Sequence, residues 1–264
     1  MTNVRGAVVA DPAGTLLALD FDGTLSPIVS DPTQAFIHPD SLAALNRLGQ
    51  LVGQIAIVTG RPVDQVRELG RFDSAPGLKS VIVCGHYGAE RWDRATNHFV
   101  TVPPPPTITT LKQRLPGILA QAGISDAFVE DKGLAVAIHT RNLTASIDEA
   151  EGALRLVAKD LGLHVEPGRQ VIEIRAAGSD KGLALRSLLF AGLHTIVYAG
   201  DDLGDVPAFT AAREIEGVAS LLVCSASAEQ DALVPLSDVV VEGPDGVAAW
   251  LTALADDIAA RQGA

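Results

Sequence analysis

The sequence has few of the residues that define secreted, disulfide-bonded or membrane-spanning proteins. It contains two cysteines in 264 residues, and Cys84 and Cys224 each lie in an apolar run typical of a buried strand. We therefore expect two core thiols and no need for an oxidising compartment. The apolar runs are broken by Asp, Gly or His before membrane-spanning length, and the first residues contain no adequate signal-peptide region. These absences predict a soluble cytoplasmic protein without a membrane partner.

Positive charge is also scarce. The 20 Lys and Arg residues face 32 Asp and Glu residues, which gives a formal net charge of -12, and no dense Lys/Arg run occurs. Such a chain repels polyanions, so we expect no nucleic-acid partner. A small phosphorylated substrate is compatible with this charge, because a metal ion and a few placed cations can reverse its local sign. For the assembly we expect a monomer or a small homo-oligomer.

Apolar runs and helical patterns alternate in the first and last parts of the chain, and the apolar fraction of 47% is sufficient for a packed core. The predicted core strands are 15–20, 55–59, 80–84, 194–199, 218–224 and 238–241, and the predicted helices are 41–51, 62–69, 182–190, 206–213 and 246–260. Strands that alternate with helices form parallel sheets with crossover helices. The expected fold class is α/β, with a doubly wound, mostly parallel, Rossmann-like core sheet.

The middle of the chain has a different pattern. A run of four prolines, Pro103 to Pro106, is typical of a stiff extended connector. After it, a helix followed by a strand pair occurs twice, which predicts a small α+β insertion of about 70 residues. We therefore divide the chain into a core, residues 1–103 and 178–264, and an inserted α+β cap, residues 104–177.

Two acidic residues follow the first predicted strand, in the segment Leu19-Asp20-Phe21-Asp22-Gly23-Thr24. A spacing of two places both carboxylates on one face of an extended chain, and Gly23 permits a sharp turn. Ligand sites of open α/β sheets form at such strand ends. One carboxylate there can attack phosphorus while the other moves a proton. The structural alternative is an ordinary Asp-Gly turn with solvated acids.

A second acidic cluster follows a later predicted strand, in Gly200-Asp201-Asp202-Leu203-Gly204-Asp205. Acids this close together repel one another without a cation, and Mg²⁺ prefers a small number of carboxylates with several waters. Asp201 and Asp205 are therefore predicted to hold or orient Mg²⁺ beside Asp20. Helix capping by one of these acids is the alternative.

Two further segments carry groups that suit a phosphate. Thr59-Gly60-Arg61-Pro62 ends the second predicted strand, where Thr59 can cap a helix whose amino terminus also binds a phosphate. We count Gly60 and Arg61 among the predicted substrate-binding residues. Lys181 begins another helix, where its charge is unfavourable with the helix dipole unless a phosphate or aspartate lies nearby. A plain helix cap and a solvated surface lysine are the respective alternatives.

The order of these four motifs resembles that of the haloacid dehalogenase-like phosphatases, and the resemblance covers nearly the whole chain. It implies that Asp20 forms an aspartyl-phosphate and that Asp22 acts as general acid and base. It also implies that Thr59 and Lys181 hold the phosphoryl oxygens. The metal set implied in the same way is Asp20, the main-chain carbonyl of Asp22, and Asp201, with Asp205 in support.

Further segments resemble the trehalose-6-phosphate phosphatase family in particular. They are Val129-Glu130-Asp131-Lys132-Gly133, His139-Thr140-Arg141, Glu173-Ile174-Arg175 and Gly85-His86-Tyr87-Gly88-Ala89-Glu90. The resemblance implies that the disaccharide hydroxyls or the phosphate are contacted by Glu130, Lys132, Arg141 and Glu173. For His86 a substrate contact beside the cap hinge and an ordinary loop position both stay open.

This resemblance implies hydrolysis of trehalose 6-phosphate to trehalose and phosphate, with Mg²⁺, as a step of trehalose biosynthesis. Another sugar phosphate, such as sucrose phosphate or a glycosyl phosphoglycerate, is an alternative substrate on the same fold. A phosphosugar mutase would pass the phosphoryl group to a sugar instead of water. A catalytically inactive sugar-phosphate sensor is the remaining alternative.

Overall fold

The computed structural model describes residues 4–139, 148–168, 171–176, 178, 180–227 and 232–263. The strands, numbered along the chain, are β1 Thr15–Leu19, β2 Gln54–Val58, β3 Ile82–Gly85, β4 Glu90–Asp93, β5 His98–Thr101, β6 Phe128–Asp131, β7 Ala135–His139, β8 Leu163–Gly168, β9 Val171–Ala176, β10 Thr195–Gly200, β11 Ala219–Ala226 and β12 Val239–Glu242. The helices are α1 Val4–Ala10, α2 Pro39–Leu48, α3 Val63–Gly70, α4 Pro106–Gln121, α5 Asp148–Asp160, α6 Lys181–Arg186, α7 Val206–Glu214 and α8 Gly243–Gln262.

The chain forms two compact units. The larger consists of Met1–Thr101 and Asp180–Ala264, and the smaller of Val102–Ser179. That the larger unit is catalytic and the smaller one a specificity cap stays a prediction. None of the helices in the described ranges combines the length and the apolarity that a membrane crossing requires.

The larger unit is built on an eight-stranded sheet with the order β12-β11-β10-β1-β2-β3-β4-β5. The pairs from β12 to β3 are parallel, and β4 and β5 add an antiparallel hairpin beside β3. The predicted α/β class with a mostly parallel sheet is confirmed. Neither the hairpin nor α1 was predicted. Each strand of the hairpin has only four residues, and Trp92 is the one buried residue among them.

Strand β1 lies at the centre of this sheet and is buried along its whole length. Leu17 and Leu19 belong to the hydrophobic cluster on one face, while Leu16 and Ala18 belong to the cluster on the other. This is the alternation that a strand imposes when both faces are covered. Because the strands beside β1 are parallel to it, the residues that follow β10, β1 and β2 meet at one edge of the sheet.

The smaller unit is a four-stranded antiparallel sheet with the order β6-β7-β9-β8. Alternate residues of its inner strands, including Val136, Ile138, Ile172 and Ile174, form a core with apolar side chains of α4 and α5. The predicted α+β insertion is therefore confirmed as a fold. In the larger unit, Cys84 and Cys224 are buried and free, as predicted.

Candidate active site

Three neighbouring strands of the large sheet end on predicted site residues. Asp20 follows β1, Thr59 follows β2 and Asp201 follows β10, and all three are buried. The backbone continues the parallel ladder one residue beyond the strands, since the Asp20 N–H donates to the Ala199 carbonyl at 2.9 Å. The sheet thus brings together side chains that are far apart in the sequence.

Lys181 is buried between two carboxylates. Its Nζ lies 2.7 Å from Asp20 Oδ1 and 2.7 Å from Asp205 Oδ1, and the residue is 4% exposed. A solvated surface lysine is therefore excluded. Burial alone would lower the pKa of Lys181, but the charges of Asp20 and Asp205 raise this pKa well above its ordinary value. The side chain is an ammonium at neutral pH, and the two acids offset its unfavourable position at the start of α6.

Asp205 is fully buried, and both its oxygens accept hydrogen bonds. Oδ1 accepts from Lys181 Nζ at 2.7 Å and from the Tyr198 hydroxyl at 2.9 Å. Oδ2 accepts from the backbone N–H groups of Asp201 at 3.1 Å and Asp202 at 3.4 Å. Asp205 therefore fixes both Lys181 and the loop that carries Asp201, which suits the supporting place predicted for it beside the metal.

The acidic groups at this edge fit a hard divalent cation. Asp20, Asp201 and Asp205 each offer a carboxylate oxygen, and these oxygens lie within 4.8 Å of one another. Burial, with the charges of Asp205 and Asp202, raises the pKa of Asp20 to about 8 against the opposing effect of Lys181. Burial and the charge of Asp20 raise the pKa of Asp201 to about 10. The site thus holds more carboxylate than Lys181 neutralises, and oxygen ligands are those that Mg²⁺ prefers.

Gly23 allows the loop after β1 to approach this cluster. Its φ is +75°, and a Cβ at this position would collide with the Asp201 carboxylate. The Gly23 carbonyl accepts a hydrogen bond from Ser225 Oγ at 2.6 Å, which ties the loop to β11. Glycine is therefore required here for two reasons. Other residues rarely adopt this positive φ, and a side chain would overlap the Asp201 carboxylate.

Arg61 and Asp22 form a bidentate ion pair that the sequence did not indicate. Arg61 Nε donates to Asp22 Oδ2 at 2.6 Å, and Nη2 donates to Asp22 Oδ1 at 2.7 Å. Arg61 Nη1 also donates to the Pro32 carbonyl at 2.9 Å. The residue predicted to bind substrate thus contacts the residue predicted to transfer protons.

In the loop after β2, Thr59 does not act as a simple cap of α3. Thr59 Oγ1 accepts from the Arg61 N–H at 3.2 Å, while the Val63 N–H at the start of α3 donates to Glu90 Oε2 at 2.8 Å. The Val63 N–H therefore has a side-chain acceptor. A Cβ on Gly60 would approach the Tyr87 hydroxyl to 2.7 Å, so Gly60 allows Tyr87 to pack over the loop.

His86 lies beside the same loop and is buried. Its backbone N–H donates to the Arg61 carbonyl at 3.0 Å, and its Nε2 lies 3.9 Å from Glu90 Oε1. His86 is thus part of the support of the β2–α3 loop. A substrate contact for this residue stays a prediction.

The smaller unit brings three of its four predicted substrate residues onto one face. Glu130 and Glu173 are aligned with Ala137 between them across β6, β7 and β9. Lys132 Nζ lies 2.6 Å from Glu173 Oε2. The fourth predicted residue, Arg141, lies outside the described residues. An unforeseen neighbour is His139, whose Nε2 lies 3.0 Å from Glu130 Oε2; its period-2 position on β7 was the available signal.

Comparison with known proteins identifies the family. The family model described as Trehalose-phosphatase matches residues 18–238. The chain belongs to the trehalose-phosphatase family. A trehalose-phosphate phosphatase of Mycobacterium tuberculosis (strain H37Rv) is 33% identical over 213 residues, which cover 77% of this chain and 52% of that protein. A trehalose-phosphate phosphatase of Mycobacterium avium is 32% identical over 214 residues, 77% of this chain and 53% of that protein. This family member thus spans about half the length of the curated relatives it matches.

Solved structures show the same fold. The C-terminal domain of the trehalose-6-phosphate phosphatase of C. albicans has a TM-score of 0.70 at 20% identity and covers 96% of each chain. A trehalose-6-phosphate phosphatase related protein has a TM-score of 0.69 at 22% identity and covers 94% of this chain and 100% of that one. This member of the trehalose-phosphatase family therefore shares its fold with these two solved structures.

Substitution of Gly23 tests how closely the loop after β1 must approach Asp201. We expect Gly23→Ala to lower the free energy of unfolding by about 1–2 kcal/mol and also to weaken Mg²⁺ binding, because it adds both φ strain and a collision with Asp201. Gly192→Ala is the matched control, since Gly192 also has a positive φ of 87° but no atom within 4 Å of an added Cβ. Denaturant unfolding and Mg²⁺ titration measure the two effects. Equal Mg²⁺ affinity in the two variants would contradict the collision.

The raised pKa values predict how the metal-free protein responds to pH. Because the pKa of Asp20 rises from 3.8 to about 8 on folding, the folded state keeps a proton that the unfolded chain releases. The stability contributed by this group is therefore present at acid pH and lost as pH rises from about 4 to about 8. We expect the unfolding temperature in EDTA to fall over this range more steeply in the wild type than in Asp20→Asn. Saturating Mg²⁺ should reduce this difference. An equal pH dependence of the unfolding temperature in the two proteins in EDTA would refute the raised pKa of Asp20.

Proposed function

We propose that this chain is a Mg²⁺-dependent phosphatase that hydrolyses trehalose 6-phosphate to trehalose and phosphate through an aspartyl-phosphate on Asp20. The observation that supports it most directly is the Asp20 carboxylate, buried at the end of the central strand, 2.7 Å from the Lys181 ammonium and clustered with Asp201. Family membership favours this substrate over the other phosphosugars. A cytoplasmic location and a monomeric or small oligomeric state stay predictions.

In the first step, Asp20 attacks phosphorus and the bond from phosphorus to the sugar oxygen breaks. Two anions must approach each other, so positive charge at this point lowers the barrier. Lys181 supplies one such charge, held by Asp20 and Asp205. When bound by Asp20, Asp201 and the Asp22 carbonyl, Mg²⁺ would add charge neutralisation and orientation of the phosphoryl oxygens. The Thr59 hydroxyl accepts a hydrogen bond from the Arg61 N–H and donates a hydrogen bond to a phosphoryl oxygen.

Asp22 supplies a proton to the leaving sugar oxygen and takes one from the water that cleaves the aspartyl-phosphate. For this, the Asp22 carboxylate must part from Arg61, which holds both its oxygens. An arriving phosphate offers Arg61 a second anion of the same bidentate geometry. The exchange of partners would couple substrate binding to the release of Asp22, and it gives Arg61 the phosphate contact predicted from its sequence position.

The sugar is recognised by the charged face of the smaller unit. Carboxylates accept hydrogen bonds from sugar hydroxyls, and Lys132 can donate to a hydroxyl or to the phosphate. Glu130 and Glu173 are held in place by His139 and Lys132. These pairs fix the side-chain directions before the ligand binds, which reduces the entropy lost on binding.

A phosphate-release assay on a panel of phosphosugars tests the proposed reaction. We expect trehalose 6-phosphate to be turned over with Mg²⁺ and not in EDTA, with one phosphate released per substrate consumed. Asp20→Asn should lose more than about a thousandfold in kcat, because a neutral amide is a poor nucleophile. The control is Asp64→Asn, whose side chain is 87% exposed on α3. Substantial activity in Asp20→Asn would refute the covalent step. Conversion to an isomeric sugar phosphate without release of inorganic phosphate would indicate a mutase.

Substitutions in the smaller unit test the substrate. We expect Glu130→Ala and Glu173→Ala each to lower kcat/KM for trehalose 6-phosphate by about 10- to 100-fold, since each removes a charged hydrogen-bond acceptor. Glu151→Ala, on the surface pair of α5 with Arg155, is the control within the same unit. Steady-state kinetics and unfolding temperatures should be measured together. Turnover unchanged in both variants would speak against trehalose 6-phosphate.

A further inference from the structure

Strand β6 has two distinct faces. Val129 and Asp131 point towards α4, since Asp131 Oδ1 lies 2.6 Å from Lys112 Nζ of that helix. Phe128 and Glu130 therefore point to the opposite face, the one that carries Glu173. Phe128 contributes the aromatic ring of this face of the small sheet, and none of the family motifs quoted above includes it.

The Phe128 ring is exposed but held in position. The residue is 66% exposed, and its ring centroid lies 5.6 Å from that of His139, the residue paired with it across β6 and β7. His139 in turn contacts Glu130, with 3.0 Å between Nε2 and Oε2. The arrangement places a flat apolar surface directly beside a carboxylate with a fixed orientation. An apolar ring beside a carboxylate suits a pyranose ring, because the C–H face of the sugar is apolar and the hydroxyls at its rim are hydrogen-bond donors.

A second observation on the same face indicates a ligand with hydroxyl groups. Glu173 is 8% exposed, and its Oε1 accepts no hydrogen bond from the part of the chain that the structure describes. A buried carboxylate oxygen without a donor is unfavourable, and a sugar hydroxyl would satisfy it. From Phe128 to Glu173 the face extends over two strand spacings, about 10 Å, and two residues along the strands, about 7 Å. This span suits a ligand of two sugar rings better than a single ring.

We propose that Phe128 is a specificity-determining residue that stacks on a pyranose ring of the disaccharide, while Glu130 and Glu173 bind hydroxyls at its rim. This inference rests on the proposed function and adds an apolar contact to it. Its consequence is selection for a leaving group with two sugar rings. Stacking requires the aromatic plane, so an aliphatic side chain of similar volume is a poor replacement.

The test compares Phe128→Ala, Phe128→Leu and Phe128→Tyr with the wild type. We expect KM for trehalose 6-phosphate to rise about 5- to 30-fold in the Ala and Leu variants with kcat little changed, and to stay within about twofold in the Tyr variant. Product inhibition by inorganic phosphate should be unaltered, because phosphate lacks the sugar. Leu156→Ala, at a residue that is 71% exposed on α5, is the matched control for loss of exposed apolar surface.

The outcomes separate this inference from the proposed function. A wild-type enzyme that releases phosphate from trehalose 6-phosphate, with KM unchanged in Phe128→Ala, would overturn the stacking role alone. Wild-type kinetics in Phe128→Leu would also overturn it, because the ring would then not be needed. Failure of the wild type to turn over trehalose 6-phosphate would overturn the proposed function itself. Unfolding temperatures equal to that of the wild type verify that the variants fold.

Discussion

The structure of the site depends on one buried ammonium group. Lys181 contacts Asp20 on one side and Asp205 on the other, each at 2.7 Å. Asp205 in turn accepts from Tyr198 in β10 and from the loop that carries Asp201. A single positive charge thus connects the end of β1, the end of β10 and the start of α6. Such a charge is tolerable inside the protein only because its partners are equally well fixed.

The number of charges at this edge also explains how the site suits phosphoryl transfer. The cluster has more acids than its lysine can neutralise, and burial intensifies their repulsion. A divalent cation would relieve that repulsion and so favour binding of the proposed phosphate substrate. A net charge of -12 is therefore compatible with the proposed phosphate substrate, because the charge that matters for binding is local. Arg61 and Asp22 add a further cation and a further acid in the loops that follow β2 and β1.

Much of the fold, and the grouping of Asp20, Thr59 and Asp201, could be predicted from the sequence. Asp20, Thr59 and Asp201 each follow an apolar run, and parallel strands bring their ends to one edge. The side-chain pairs could not be predicted in the same way. Arg61 meets Asp22 across 39 residues of sequence because two loops turn towards each other.

In the smaller unit too, the sequence pattern predicts the positions of residues on strands but not their packing. Alternation assigns Glu130 and Glu173 to faces of strands. The exposure of Phe128, and a Glu173 oxygen that has no donor among the described residues, depend on packing. The hairpin of β4 and β5 was missed because its pairing follows no apolar pattern. Periodicity thus locates a residue on an element, and only the packed structure shows what that residue contacts.

The position in the sequence at which the smaller unit rejoins the larger one bears on how far the two units depend on each other. The chain re-enters the larger unit at Asp180, whose side chain accepts from the Leu183 N–H, and the next residue is Lys181. The junction is therefore held by a helix cap and by the buried lysine, and the partners of both lie within the larger unit. A change within the insertion would therefore leave the contacts of Lys181 with Asp20 and Asp205 in place.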